Sequence, residues 1–437
     1  MGLPVVAILG RPNVGKSTLF NRIARRHIAV VDDTPGVTRD RNYCVINWAE
    51  QDFVIVDTGG VVTAPRGEME LTITRQAEIA AREADLVIFL IEKDIAPEDF
   101  EIARRLHRED LPVMLVVNKI DRDIELPMVA EAWKMGLGEP FAISAKNGRG
   151  VGDLLDFIGE KLPESGKGED AHSEIRIAIV GKPNVGKSSF VNKLLGEEKL
   201  IVDAEPGTTR DPIGTPFTYN GRKWLLTDTA GLLKKRQYGI SYYSSLRTVA
   251  TIKRSDVVFL LTDATEGFNQ QDKRIAGMAV DFIKGLVIGI NKWDLVEAET
   301  MTSAEREKEI YANAKFLRFA PIVTLSALTG RRVRRALDVL ERIADERKKR
   351  ITTSEFNEFM ASAVGRIPPP IVQGKRSNIL YMTQESTDPP VFVFFCRGAR
   401  FVSENYRRYL ARKIREEYGF EGVSLKLVFK ENREEDR

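Results

Sequence analysis

The chain has 437 residues, of which 43% are apolar and 30% are charged, so it can bury the cores of about two or three domains and is not a disordered protein. Its two cysteines, Cys44 and Cys396, are too few and too far apart for a disulfide framework, and its three histidines show no metal-binding spacing. The N-terminus lacks a secretion signal, and apolar runs such as 257–261 are far shorter than a membrane span. We therefore expect a cytoplasmic protein that does not bind membranes.

Charge is distributed unevenly along the chain. Residues 331–437 contain 23 lysines and arginines against 16 acidic residues, whereas the remaining residues have a net charge of −4. A basic C-terminal segment on a mildly acidic body indicates an end that faces nucleic acid. An ordinary solvated surface rich in arginine is the alternative.

The sequence contains an internal repeat. Three motifs recur at a constant offset of 171 residues: 10–17 as 181–188, 35–40 as 206–211, and 57–60 as 228–231. Two later motifs recur at offsets of 173 and 182: 118–121 as 291–294, and 144–146 as 326–328. Offsets that hold and then grow indicate two copies of one domain, with small insertions in the second.

Composition indicates where the domains begin and end. A polar stretch without periodicity separates the two copies and reads as a flexible linker, and a basic helix end meets a helix-start signal near Thr353. The expected organisation is a first domain at 1–162, the linker at 163–174, a second domain at 175–350 and a C-terminal domain at 351–437.

Each copy alternates apolar runs with helical stretches. The predicted buried strands are 5–9, 53–56, 86–91, 113–117 and 140–143 in the first copy, and 176–180, 224–227, 257–261, 286–290 and 322–324 in the second. Continuous apolar strands separated by helices are typical of a doubly wound α/β fold with a mostly parallel sheet covered on both faces. The recurring motifs follow these strands, at the edge where such sheets bind ligands.

The C-terminal domain has a different order of elements. We predict a helix at 354–365, strands at 378–383 and 391–396, a helix at 403–417 and a strand at 423–429. This order gives a small α+β domain with helices on one face of its sheet. The Gly-Phe-Glu-Gly sequence at 419–422 carries an acidic residue and leads into a strand, so we reject it as a clamp for an RNA backbone.

The first repeated motif, Gly-x4-Gly-Lys-Ser, is a phosphate loop. It follows a strand and opens a helix in both copies, so its backbone N–H groups can surround a phosphate chain at a helix N-terminus. Lys16 and Lys187 are expected to reach the β- and γ-phosphates and to act in catalysis. The expected phosphate-binding residues are Gly10, Asn13, Val14, Gly15, Lys16, Ser17, Thr18 and Gly60 in the first copy, and Gly181, Asn184, Val185, Gly186, Lys187, Ser188, Ser189 and Gly231 in the second.

Hydroxyl and carboxylate groups in the same motifs predict a magnesium site. Asp57 and Asp228 begin an Asp-x-x-Gly motif whose glycine N–H senses the γ-phosphate. Thr38 and Thr209 lie in Pro-Gly-x-Thr-Arg-Asp loops and complete the metal site only while the γ-phosphate is present, which gives them a catalytic role as well. The expected magnesium ligands are Ser17, Thr38, Asp57, Ser188, Thr209 and Asp228.

The Asn-Lys-x-Asp motif selects the base. The carboxylate of Asp121 or Asp294 can accept two hydrogen bonds from guanine, whereas adenine offers no donor there and leaves the carboxylate unpaired. The predicted nucleotide is therefore GTP or GDP and not ATP. The expected guanine-binding residues are Asn118, Lys119, Asp121, Ser144, Ala145 and Lys146 in the first copy, and Asn291, Lys292, Asp294, Ser326, Ala327 and Leu328 in the second.

The residue after the Asp-x-x-Gly motif departs from many regulatory GTPases. Those proteins carry a glutamine that orients the attacking water, but this chain has Val61 and Leu232, which cannot. Hydrolysis therefore needs another source of positive charge or of water placement. Asn13 and Asn184, inside the phosphate loops, can help to bind a monovalent cation against the phosphates.

Together these residues resemble the Der (EngA) family of tandem GTPases. The resemblance rests on the two Gly-x-Pro-Asn-Val-Gly-Lys-Ser loops, the Asp-Thr-Gly-Gly and Asp-Thr-Ala-Gly pair and the basic C-terminal segment, and it covers essentially the whole chain. It implies two tandem P-loop GTPase domains followed by a KH-like domain. It also implies hydrolysis stimulated by K⁺, with Asn13 and Asn184 at the cation-binding positions. The implied partners are ribosomal RNA and precursors of the large ribosomal subunit, and we expect a monomer.

Some residues outside the motifs carry further expectations. The turn Glu92-Lys93-Asp94 departs from the family's usual Asp-Gly turn, which the second copy keeps at 263–267. Basic residues interleaved with an aromatic are candidate RNA contacts, with an ordinary surface as the alternative. These candidates are Lys375, Arg376, Arg397, Arg400, Tyr406, Arg407 and Arg408.

Two other functional classes fit parts of the sequence. One is an interaction scaffold in which one nucleotide is a static structural plug, but both copies keep every motif. The other is a GTPase that recruits tRNA-modifying or membrane-remodelling partners, but the sequence has no Cys/His cluster and no amphipathic membrane helix for such work.

Overall fold

The computed structural model describes residues 3–27, 43–49, 51–58, 84–108, 112–162, 174–196, 214–227, 244–296 and 301–432. The chain divides into two compact units, the first formed mainly by residues before His172 and the second mainly by those after it. Among the residues so described, no helix has the length and apolar character that a membrane span requires.

The first unit contains a six-stranded sheet. Its strands are β1 (Val5–Leu9), β2 (Tyr43–Trp48), β3 (Gln51–Asp57), β4 (Leu86–Glu92), β5 (Val113–Asn118) and β6 (Phe141–Ala142). They lie in the order β2-β3-β1-β4-β5-β6, and all neighbours are parallel except β2 and β3, which form an antiparallel pair at the edge. All five residues of the central strand β1 are buried, as expected for a strand with no solvent-facing side.

The second unit repeats this sheet. Its strands are β7 (Ile175–Val180), β8 (Gly214–Tyr219), β9 (Arg222–Thr227), β10 (Val257–Asp263), β11 (Gly285–Asn291) and β12 (Ile322–Thr324). Their order is β12-β11-β10-β7-β9-β8, and β8 and β9 form the antiparallel edge pair. The two sheets therefore have the same topology, and the predicted α/β fold with mostly parallel sheets is confirmed.

The edge strands β2 and β8 are missing from the predicted set. Strand β8 has the sequence Gly-Thr-Pro-Phe-Thr-Tyr and only Phe217 is buried, so it has no continuous apolar run to detect. A strand at a sheet edge needs one buried face only and tolerates proline and glycine. The predicted strand at 140–143 is also shorter than expected, because only Phe141–Ala142 pair with β5.

Helices connect the strands of both sheets. The described α-helices are α1 (Lys16–His27), α2 (Pro97–Arg108), α3 (Val151–Lys161), α4 (Lys187–Leu195), α5 (Ser244–Lys253), α6 (Gln270–Asp281), α7 (Ser303–Asn313) and α8 (Val333–Arg347). A 3-10 helix, Asp123–Met135, follows the first Asn-Lys-x-Asp motif. Helices α1 and α4 begin at the lysines of the two phosphate loops, as the motif requires.

The C-terminal part of the second unit has the predicted order of elements. It contains α9 (Thr353–Arg366), β13 (Ile371–Val372), β14 (Lys375–Arg376), β15 (Asn378–Thr387), β16 (Pro390–Arg397), α10 (Glu404–Tyr418) and β17 (Lys426–Glu431). Strands β15 and β16 are antiparallel, and β16 and β17 are parallel. The short hairpin of β13 and β14 was not predicted, because strands of two residues leave no periodic signal.

One hydrophobic core joins the second sheet to the C-terminal elements. Trp224 and Phe259 of the sheet belong to the same buried cluster as Phe356 of α9 and Phe394 of β16. Backbone hydrogen bonds add to this attachment, since Leu286 N donates to the carbonyl oxygen of Gly422 at 2.7 Å. The second sheet, its helices and the C-terminal elements therefore form one packed body.

Candidate nucleotide-binding sites

The two phosphate loops have the same backbone conformation. Asn13 and Asn184 both adopt left-handed backbone angles, with φ of 69° and 64°. Gly15 and Gly186 have φ of 101° and 97°, and a Cβ at either would lie within 2.3 Å of an asparagine side-chain nitrogen. Only glycine fits where the loop passes so close to its neighbour.

The loop lysines are held by carbonyl oxygens, and Lys16 is buried whereas Lys187 is half-buried. Lys16 Nζ donates to the carbonyl oxygens of Gly10 at 2.8 Å and Arg11 at 2.7 Å, and Lys187 Nζ donates to the carbonyl oxygen of Gly181 at 2.8 Å in the same way. Burial lowers the pKa of each lysine to about 8. Each ammonium therefore lies in a partly desolvated site, where a phosphate would stabilise its charged form.

A hydroxyl and a carboxylate meet beside the first loop. Ser17 Oγ donates to Asp57 Oδ2 at 2.6 Å, although the two residues lie 40 positions apart in the sequence. Asp57 is 1% exposed at the end of β3, and Thr58 Oγ1 donates to the carbonyl oxygen of Ile8, which fixes the end of that strand against β1. In the second copy Ser188 occupies the equivalent position on α4 and is exposed.

An asparagine links the phosphate loop to the guanine loop in each copy. Asn118 Nδ2 donates to the carbonyl oxygen of Val14 at 2.8 Å, and its Oδ1 accepts from Ala145 N at 2.9 Å. Asn291 makes the matching bonds to Val185 at 2.7 Å and Ala327 at 2.8 Å. In each copy, one buried amide therefore fixes the phosphate loop relative to the loop that contains Ala145 or Ala327.

The carboxylate predicted to bind guanine in the first copy, that of Asp121, is exposed and oriented. Asp121 Oδ1 accepts from Ser144 Oγ at 2.6 Å and from Asn147 Nδ2 at 3.1 Å. Ser144 is buried, so a fixed hydroxyl holds the Asp121 carboxylate while the carboxylate itself stays accessible to a ligand. In the second copy Asp294 is likewise exposed and Ser326 is buried.

The motif lysines pair with the strand next to them. Lys119 Nζ lies 2.6 Å from Glu92 Oε1, and Lys292 Nζ lies 2.6 Å from Asp263 Oδ2. Glu92 and Asp263 occupy the same place, since each is the last residue of its strand and pairs with the motif asparagine. Glu92, which departs from the family pattern, thus keeps the ion pair that Asp263 makes.

The remaining site residues fall into three groups. Val14 and Val185 are buried beneath the loops. The exposed ones are Thr18, Ser189, Lys146 and Leu328. Five predicted residues lie outside the described part of the chain: Thr38, Gly60, Thr209, Asp228 and Gly231.

The structure also contains site residues that the motifs did not reveal. Arg22 of α1 donates to the carbonyl oxygens of Ala145 and Lys146. Glu125 accepts from the backbone nitrogens of Asp121 at 2.8 Å and Arg122 at 3.2 Å. Their roles come from contacts across the fold or within a turn, and a single Arg or Glu carries no sequence signal of that kind.

Several predicted RNA contacts are structural residues. Tyr406 is 4% exposed and donates its hydroxyl to the carbonyl oxygen of Ile367 at 2.7 Å. The Arg407 guanidinium packs over the Phe429 ring at 4.4 Å, and Arg408 pairs with Glu404 within its helix. Tyr406 and Arg407 are therefore corrected, because their side chains pack against other elements of the fold, whereas Arg408 is 34% exposed and stays a prediction. The exposed candidates are Lys375, Arg376, Arg397 and Arg400.

The rejected Gly-Phe-Glu-Gly segment makes packing contacts with the second sheet region. Phe420 is fully buried, and its backbone nitrogen donates to Glu346 at 2.8 Å. Glu421 pairs with Arg342 of α8. The segment fastens the C-terminal elements to the second sheet.

The sequence matches two family models. The family model described as a 50S ribosome-binding GTPase matches residues 5–119 and 176–292, and the model for the KH-domain-like C-terminal region of EngA bacterial GTPases matches residues 350–430. A solved Era variant of Aquifex aeolicus bound to GDP.AlF4- is similar, with 26% identity, a TM-score of 0.31, and coverage of 48% of this chain and 75% of that one.

Full-length relatives are more similar. The GTPase Der of Clostridium tetani is 44% identical over 99% of this chain and 100% of its own length. The GTPase Der of Caldanaerobacter subterraneus subsp. tengcongensis is 44% identical over 100% of both chains. The chain belongs to the GTPase Der family and is a GTP-binding switch GTPase with two tandem GTPase domains and a KH-like C-terminal domain.

Proposed function

We propose that this GTPase acts in assembly of the large ribosomal subunit, by binding ribosomal RNA or a precursor particle in a way that its nucleotide state controls. The observation that carries the proposal is the match of both copies to the 50S ribosome-binding GTPase model, together with the same loop geometry in each copy. The bacterial relatives align over their whole length, which supports transfer of a whole-chain role.

The loop lysines and guanine carboxylates would bind the nucleotide. Lys16 and Lys187 would exchange a carbonyl contact for the β- and γ-phosphates, and the loop N–H groups at the start of α1 and α4 would hold the remaining phosphate oxygens. Asp121 and Asp294 would accept the two guanine donors. In the first copy this assignment is supported by the hydrogen bond from Ser144 Oγ to Asp121 Oδ1 at 2.6 Å, which orients the carboxylate.

The residues beside the first loop fit Mg²⁺. Ser17 Oγ and Asp57 Oδ2 converge within 2.6 Å, and hydroxyl and carboxylate oxygens are the donors that this cation prefers. Bound there, Mg²⁺ would neutralise charge on the β- and γ-phosphates. We extend the same assignment to Ser188 and Asp228, and to Thr38 and Thr209 as ligands in the GTP state.

Asn13 and Asn184 are the proposed K⁺ ligands. Both are exposed, and both hold a left-handed conformation at the middle of a phosphate loop. An amide oxygen at that place can share a cation with the phosphates and so offset the missing glutamine.

The exposed basic residues of the C-terminal elements are the proposed RNA surface. Lys375 and Arg400 both lie over the Phe401 ring, at 5.7 Å and 4.8 Å from its centroid, so two cations are held together near β14. Arg376 and Arg397 are exposed nearby in the sequence. Clustered cations of this kind contact phosphates.

The proposal retains the expected architecture. The domains are 1–162, 175–350 and 351–437, joined by the linker 163–174, and the family-model ranges are compatible with these bounds. We propose a cytoplasmic monomer without a membrane partner.

GTP hydrolysis in K⁺ and Na⁺ buffers, with and without large ribosomal subunits, tests this proposal. We expect faster turnover in K⁺, and a further increase when subunits are added. Replacing Asn13 and Asn184 together by Ala should remove the difference between the two salts. A rate of GTP hydrolysis that is the same in both salts and with or without subunits would contradict the proposal. If one GTPase domain hydrolyses no GTP, the alternative in which its nucleotide is a static structural element would be favoured.

A further inference from the structure

A buried aspartate contacts the phosphate loop in each copy. Asp99 of α2 and Asp272 of α6 are both 0% exposed. Asp99 Oδ1 accepts from Arg11 Nε at 2.7 Å, and Asp272 Oδ2 lies 3.7 Å from Lys182 Nζ. Arg11 and Lys182 are equivalent residues, directly after the first glycine of each loop, so the contact is repeated.

The start of a helix fixes each aspartate. Asp99 Oδ2 accepts from Ala96 N at 3.0 Å, and Asp272 Oδ2 accepts from Asn269 N at 3.0 Å. A carboxylate that is both buried and bonded to a helix N-terminus has little freedom to move. Each aspartate is therefore a rigid anchor on an element next to the loop.

The anchored loop residue also holds the loop lysine. The carbonyl oxygen of Arg11 accepts from Lys16 Nζ at 2.7 Å, and that of Lys182 accepts from Lys187 Nζ at 2.6 Å. The side chain of one residue thus binds the aspartate while its backbone binds the ammonium that faces the phosphates. Movement of the anchor would move the lysine.

The two copies differ in how closely the buried aspartate contacts the loop residue, which is Arg11 in the first copy and Lys182 in the second. Arg11 bonds Asp99 directly, and this hydrogen bond raises the pKa of Arg11. Lys182 is closer to the exposed Glu266, at 2.7 Å, than to Asp272, and burial raises the pKa of that aspartate. Asp272 Oδ1 has no hydrogen-bond partner among the described residues. The anchor is tighter in the first copy.

We propose that Asp99 and Asp272 are positioning residues for GTP hydrolysis, acting through Arg11 and Lys182 on the carbonyl oxygen that aligns the loop lysine. Neither aspartate belongs to a nucleotide-binding motif. The proposal uses the GTPase activity of the chain and does not depend on a ribosomal role.

The test isolates the first domain in the full chain. In a Lys187→Ala background, whose own turnover is measured first without ribosomal particles, Asp99→Asn should lower kcat about tenfold, less than the hundredfold that a 1 Å misplacement of reacting groups can cost. We expect GDP affinity to change less than kcat. Glu101→Gln removes a charge from an exposed position of the same helix and should leave kcat unchanged.

Variants of the loop residue separate positioning from folding. Arg11→Gln, at a side chain that is 23% exposed, should reproduce the fall in kcat, and Arg11→Lys should restore most of it. The Arg11→Gln and Asp99→Asn effects should not add, because the two residues act as a unit. In a Lys16→Ala background, which isolates the second domain, Asp272→Asn should lower kcat less than Asp99→Asn does in the first, because Glu266 also holds Lys182.

Three results would overturn the proposal. The first is an unchanged kcat in a folded Asp99→Asn chain, or in Arg11→Gln if the first variant does not fold. The second is a lower melting temperature with full kcat, which indicates a structural role alone. The third is additive effects of the two substitutions.

Discussion

Lys16 and Lys187 show how burial prepares a cationic side chain for a phosphate. Each ammonium donates to carbonyl oxygens of its loop, and burial lowers its pKa to about 8. A bound phosphate supplies the missing negative charge and favours the protonated form. Nucleotide binding and lysine protonation are therefore coupled.

This coupling predicts a pH dependence of nucleotide affinity. A lysine with a lowered pKa loses its charge as the pH rises through about 8, whereas the nucleotide-bound lysine keeps its proton. We expect GDP affinity to fall about tenfold between pH 7 and pH 9, as measured with a fluorescent GDP derivative. An affinity that is constant over this range would show that burial does not lower these pKa values.

Close packing of the loop predicts the effect of one methyl group. Gly15→Ala places a Cβ 2.3 Å from Asn118 Nδ2 in a residue with φ of 101°, so it should weaken GTP binding at the first site on the order of a hundredfold. Gly138→Ala is the matched control, because φ there is 90° but nothing lies within 4 Å. Calorimetry of GTP binding to both variants separates the effect of the Cβ–Asn118 contact from that of backbone strain. An equal loss of affinity in the two variants would show that the contact with Asn118 is not the cause.

At the scale of elements, the turn after the fourth strand makes different connections in the two copies. In the first copy Lys93 Nζ lies 2.7 Å from Glu125, which holds the backbone of Asp121. In the second copy Glu266 of the corresponding turn reaches Lys182 of the phosphate loop at 2.7 Å. The turn therefore supports the guanine end of one site and the phosphate end of the other.

This difference predicts a substitution that affects only the first site. The pKa of Glu125 is lowered by its hydrogen bond with Lys93, so the carboxylate is charged at neutral pH. Glu125→Gln should weaken GDP binding at the first site about threefold, in line with a partly exposed ion pair. Glu131→Gln lies in the same 3-10 helix, pairs only with Lys134 among the described contacts, and should have no effect. A loss of the same size at the second site would contradict the assignment.

At the scale of the whole molecule, the sequence predicted most of the fold and the repeated part of both sites. The central strands and the phosphate loops were detectable because long apolar runs and glycine-lysine spacing are local signals. The edge strands were not, since β2 and β8 need one buried face only. The contacts of Asp99 with Arg11 and of Arg22 with Ala145 depend on residues brought together by the fold, and no local pattern records them.

The shared core predicts how the second unit unfolds. Phe356→Ala should lower the free energy of unfolding by about 3–5 kcal/mol, because the ring is fully buried in the cluster that also contains Trp224. Ile371→Ala, at a side chain that is 62% exposed, is the control. Because the core is continuous, denaturant should unfold the second GTPase domain and the C-terminal elements in one transition. Hydrogen exchange that shows the C-terminal elements opening separately from the second sheet would contradict a common core.

Cosedimentation with large ribosomal subunits tests the central claim most directly. The chain would be mixed with purified subunits and either a non-hydrolysable GTP analogue or GDP, and bound protein would be measured in the pellet. We expect much more protein in the GTP-analogue pellet, and none of that difference in a double variant that combines Asp121→Asn with Asp294→Asn. Equal binding in both nucleotide states, or no binding in either, would contradict a nucleotide-controlled ribosomal function.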